Sequence, residues 1–139
     1  MNKKQKSARK ADPASAGTAR PKTPAEVFEG HPKPVRELAQ QLRELAFETL
    51  PELTENAYGG AKVRLTLFSL GDPSNVVCGV QPADDGCLFY FHHVKPEDSP
   101  TLKIEGTGKH ARHVKLRILD RATIEEIRRL LRLARRRAG

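Results

Sequence analysis

Residues 105–117 read EGTGKHARHVKLR and gather the side chains best suited to holding an anion. Gly106 and Gly108, on either side of Thr107, let the backbone curl so that N–H groups converge, a nest that receives negative charge. Lys109 and Arg112 add cationic side chains at the same point. Strand alternation then puts His113, Lys115 and Arg117 on one face, opposite Val114, Leu116 and Ile118. The chemistry implied is binding of a small anion or anionic partner at Gly106, Thr107, Gly108, Lys109, Arg112, His113 and Lys115. The glycines would give backbone N–H groups, Lys109 and Arg112 the charge, and the His113 imidazole a means of tuning affinity near neutral pH.

The stretch is not a nucleotide-hydrolysing phosphate loop. In the pattern GxxxxGK[ST] a glycine stands five residues before the second one, and a hydroxyl residue follows the lysine to hold magnesium. Here Lys103 and His110 occupy those places. A strand also follows the glycines where that loop needs a helix.

Other reactive side chains form no familiar constellation. His92 and His93 are adjacent on an expected strand, so they point to opposite faces and cannot share one metal. Cys78 and Cys87 flank an expected hairpin but lack the CxxC spacing of a zinc site, and read as buried inert thiols. No Ser–His–Asp pattern stands out, and neither a catalytic residue nor a cofactor is implied.

The elements that must position the glycine–lysine stretch can be read from periodicity. Residues 33–53 carry Val35, Leu38, Leu42, Leu45 and Thr49 at helical spacing, with Ala39, Ala46 and Leu50 beside them, and Pro51 ends the pattern. A short helical turn is expected after Pro24. Residues 62–70 alternate, which predicts a strand with Val63, Leu65 and Leu67 toward the core and Lys62, Arg64 and Thr66 away from it. NVVCGV and CLFYFHHV predict a hairpin with a loop of about four or five residues. HVKLRIL predicts a fourth strand. RATIEEIRRLLRLARR predicts a closing helix with Ile124, Ile127, Leu130, Leu131 and Ala134 inward, and its acid-first, arginine-last order suits the helix dipole. The sum is an α+β domain: an antiparallel sheet of about four to six strands with an N-terminal and a C-terminal helix on one face. If the polar faces of the first and last strands share the other side of the sheet, they make a basic surface.

The chain has 139 residues and a formal charge of +8, with the charge unevenly placed. Residues 1–24 hold seven Lys or Arg against one Asp, and residues 128–139 hold six Arg and no acid. The body between is therefore mildly acidic. Residues 1–24 are expected to be a disordered basic tail, because they lack the apolar residues that would offset the entropy of ordering. Residues 25–139 form the domain. Basic ends predict weak, salt-dependent nucleic-acid contact. The apolar runs are too short for a membrane span, and two cysteines in a chain without a secretory leader fit a reducing cytoplasm.

The segment GTGK followed by RHVK resembles the signature of the YdhG-like domains, a bacterial family of unknown function. The order of elements over residues 25–135 is similar too. The resemblance implies a frataxin-like two-layer α+β fold. Some members are named iron chaperones, which brings in iron as a partner by analogy. Iron handling would rest on exposed carboxylates, since hard iron ions favour oxygen ligands. Glu44 and Glu48, one helical turn apart, are the pair that could share a cation, although Arg36 and Arg43 are interleaved with them.

Overall fold

The structure is a computed structural model that describes residues 20–106 and 111–139. Helix α1 (Pro24–Phe28) opens with a capping box. The Thr23 hydroxyl accepts from the Glu26 N–H, and the Glu26 carboxylate accepts from the Thr23 and Lys22 N–H groups at 3.0 and 2.6 Å. These bonds satisfy donors that a helix start otherwise leaves open. The ordered chain thus takes in Lys22 and Thr23, ahead of the expected boundary at residue 25. Residues 1–19 of the expected tail lie outside the described residues.

Helix α2 (Lys33–Thr49) buries Val35, Leu38, Ala39, Leu42, Leu45 and Ala46, the stripe its spacing demands. It stops at Leu50, whose N–H still reaches the Ala46 carbonyl, because Pro51 has no N–H to continue the ladder. Five strands follow: β1 (Thr54–Gly59), β2 (Arg64–Ser69), β3 (Val76–Pro82), β4 (Cys87–His92) and β5 (Ala111–Leu116). They pair in sequence order, each antiparallel to the next. A 3-10 turn, Pro96–Asp98, lies between β4 and β5. Helix α3 (Arg121–Ala138) starts at Asp120, whose carboxylate accepts from the Thr123 N–H at 2.8 Å.

The helices pack on one face of this meander, and α2 also packs on α3. Between the layers Phe68, Cys78, Val80, Phe89, Phe91, Val114 and Leu116 meet Leu42, Leu45, Ile127, Leu130, Leu131 and Ala134. Each large side chain buried in this way stabilises by roughly 1.5–3 kcal/mol. Phe89 and Phe91 stand edge to face with ring centres 5.0 Å apart, as do Phe47 and Phe68 at 5.3 Å. The α+β class, the antiparallel sheet and the placement of the helices follow the expectation, and the β3–β4 loop has the four residues expected of it.

β1 adds a strand where none was read, because TENAYG carries few apolar residues; it is an edge strand that needs only one neighbour. Three expectations are corrected. His93 lies beyond the end of β4 at φ +66°, so it does not share a strand with His92, and the two rings stand 6.3 Å apart. The faces of β2 are reversed. Thr66 and Phe68 are fully buried toward the helices, while Leu65 and Leu67 lie half-buried on the outer face and Val63 is 53% exposed. The register decides this: Thr66 opposes Val80 and Phe68 opposes Cys78. Leu67 opposes Gly79 and leans over it, so that a Cβ on Gly79 would lie 2.7 Å from the Leu67 Cδ2. Finally, Ile118 falls beyond the end of β5 and is 74% exposed, although alternation had placed it with Val114 and Leu116.

Candidate anion-binding site at the β5 hairpin

Before β5 the chain passes along its free edge. Glu105 and His113 exchange both backbone hydrogen bonds, each 2.8 Å long. Glu105 is therefore the antiparallel partner of His113 in β5. Gly106 follows it at φ +115°, a conformation that favours glycine. A Cβ there would stand 3.4 Å from the His113 Nδ1 and 3.6 Å from the Ala111 carbonyl oxygen, so the backbone beside β5 is close-packed at this point. Thr107, Gly108, Lys109 and His110 lie outside the described residues.

The remaining site residues divide between the two faces of the sheet. Arg112 opposes Phe91 and shares the helix-facing side, whereas His113 opposes Tyr90 on the outer side. The Nη1 of Arg112 is buried and has no hydrogen-bond partner among the described residues. A charged donor left in this state costs more than a neutral one, because its desolvation is not offset. His113 packs against Tyr90 with ring centres 5.6 Å apart. The Tyr90 hydroxyl donates to the Gln81 Oε1 at 2.9 Å, and burial pushes its pKa upward. Lys115 and Arg117 do share a face, and both reach Asp85, at 3.2 and 3.0 Å. The hydrogen bond from Arg117, with a second from Lys115, holds the Asp85 carboxyl below its usual range.

The composite basic surface expected from β2 and β5 does not form. Arg64 and Thr66 face the helices, and Asp85 offsets part of the charge of Lys115 and Arg117. Sequence reasoning missed Tyr90 and Asp85 as neighbours of β5, and Gln81 as the partner of Tyr90. Only cross-strand register brings them there, and a single sequence carries no signal of it.

The charged groups behind the other two readings are mostly engaged within the chain. Glu44 accepts from Gln40 at 3.1 Å, and Glu48 lies 3.7 Å from Arg128. Glu52 pairs with Arg135, and Glu55 pairs with Arg43. Among the described residues, no group of three or more His, Cys, Asp or Glu side chains could hold a metal ion. At the arginine-rich end, Arg129 binds Glu126 and Arg137 binds Asp98, while Arg132 and Arg136 have no ion pair among the described residues. Much of the charge that seemed available for a polyanion instead ties α3 to the body.

Cys78 and Cys87 are free and buried, at different heights on the helix-facing side. Burial pushes the Cys78 thiol far up and Cys87 to about 11, so neither carries a ready thiolate. The chain matches no family model, no curated protein and no solved structure. Among the described residues, no helix is long and apolar enough to cross a membrane.

Proposed function

We propose that this chain is a non-enzymatic, cytoplasmic binding domain that takes a small anion where residues 105–113 meet the sheet. The observation that carries this reading is Arg112: its buried Nη1 has no hydrogen-bond partner among the described residues, and it lies beside Gly106, which takes a positive φ. An anion there would give Arg112 its missing acceptor, and the glycine-rich loop would add backbone N–H groups. Lys109 would supply further charge, and His113 lies on the outer side, beside Gly106. The resemblance of residues 105–117 to YdhG-like domains is part of this reading and adds no activity to it.

The test is thermal melting of the full chain with inorganic phosphate or sulfate against chloride at matched ionic strength. A ligand at a hundred times its dissociation constant adds about 2.7 kcal/mol, a rise of several degrees for a domain of this size. The expected result is a rise in wild type that disappears in the Lys109→Ala, Arg112→Gln double variant. An equal rise in the variant, or none in wild type, overturns the reading.

A further inference from the structure

A second cationic site lies at the other end of the strands. The turn between α1 and α2, residues 29–31, separates two hollows. The larger, about 540 Å³, is walled by Phe28, Glu29, His31, Arg36, Gln40 and Arg43. The smaller, about 210 Å³, is walled by Glu29, His31, Lys62, Arg64 and Gln81, among others. Glu29 and His31 belong to both, so the hollows share one wall. The larger volume lies within the range of small-molecule sites.

The charges around this cleft are unequal. Four cations and a histidine line the two hollows, against one carboxylate, Glu29. Arg43 is already taken by Glu55, whose side chain is 6% exposed and which holds it at 2.7 Å, and Arg64 acts on Glu26 and donates from its Nε to the Gly60 carbonyl at 2.8 Å. Arg36 and Lys62 make no ion pair with any described carboxylate. The Arg36 Nε donates to the His31 carbonyl at 3.1 Å, which ties the guanidinium to the α1–α2 turn. Gly30 takes a φ of +82° in this turn, with nothing within 4 Å of a would-be Cβ. Ala25 and the small exposed part of Phe28, whose ring lies 5.6 Å from the Arg43 guanidinium, give the larger hollow its apolar part.

We infer that this cleft binds a small organic anion. Its acidic group, phosphate or carboxylate, meets Arg36 and His31 in the larger hollow, with Lys62 adding charge from the adjoining one, and its apolar body lies against Ala25 and Phe28. The site is separate from the β5 hairpin. Arg64 and Pro82 mark one end of the strands, whereas Arg112 and its partner Phe91 mark the other.

The test is an amide chemical-shift titration of the full chain with phenyl phosphate, benzoate and inorganic phosphate. Phenyl phosphate, benzoate or both are expected to give saturable shifts at residues 28–36 and 61–64, not at 105–117. Either should bind more tightly than inorganic phosphate. The Arg36→Gln, Lys62→Gln double variant, altered at two exposed positions, should bind about tenfold or more weakly, the scale of one or two lost charge-assisted hydrogen bonds. Ala25→Glu, which puts a carboxylate into the larger hollow, should weaken binding with both cations in place. Unchanged affinity in both variants, or no saturable shift at those residues at millimolar ligand, overturns the site. Inorganic phosphate binding as tightly as phenyl phosphate and benzoate overturns the role given to Phe28.

Discussion

Arg43 on α2 holds Glu55 on β1 through two parallel hydrogen bonds, Nε to Oε2 at 2.7 Å and Nη2 to Oε1 at 2.9 Å. Its remaining nitrogen, Nη1, donates to the Gln40 Oε1 at 2.8 Å, and the guanidinium lies 5.6 Å from the centre of the Phe28 ring. One side chain therefore joins α1, α2 and the edge strand. Arg43→Met leaves the Glu55 carboxylate nearly buried and unpaired, and should cost about 3 kcal/mol. Glu55→Gln keeps one acceptor for the arginine and should cost about half of that. Urea unfolding of the two variants checks the order, and equal losses would contradict it.

Asp98 accepts two hydrogen bonds from Arg137 and one from the Lys95 N–H. The Arg137 bond, followed by the Lys95 bond, lowers its pKa below the usual 3.8. A carboxyl depressed in the folded state stabilises above its unfolded pKa and loses that contribution as pH falls through the folded value. Asp98→Asn should therefore melt below wild type at neutral pH, with the gap narrowing as pH drops below about 4. Melting curves from neutral pH downward test this, and a gap independent of pH would refute it.

Gly86 and Gly30 should respond differently to alanine. A Cβ on Gly86 would lie 2.2 Å from the Leu116 carbonyl oxygen, so backbone must move. Gly86→Ala should cost about 3 kcal/mol. Gly30 faces open space and pays only for its positive φ, so Gly30→Ala should cost about 1 kcal/mol. Denaturant midpoints separate the two.

Thr66 is fully buried, and its hydroxyl has no hydrogen-bond partner. Thr66→Val keeps the shape and removes an unsatisfied polar group, so it should stabilise by about 1 kcal/mol. A destabilised variant would mean that the hydroxyl is satisfied after all.

Neither thiol should react with a disulfide reagent in the native protein at mildly alkaline pH, because burial holds both in the protonated form. Both should react at once in urea. Fast labelling of the folded chain would contradict the burial of Cys78 and Cys87.

Sequence alone determined the two long helices, the class and the strand that follows the glycine–lysine stretch. The helical stripes from Val35 to Ala46 and from Ile127 to Ala134 repeat over several turns, and such a pattern has one reading. Gly106 is a second case: an exposed loop needs a backbone that only glycine adopts easily, and the residue type announces it. The faces of β2 were decided by tertiary structure. KVRLTLFSL has apolar side chains on both parities, and one step of register exchanges them. The pairing of Thr66 with Val80, with Leu67 settled over Gly79, fixed the choice. Charge behaved in the same way. The sequence showed where the arginines are, but only the fold could bring Glu52 to Arg135 and Asp98 to Arg137, because such an ion pair depends on a distance in space that linear order does not contain.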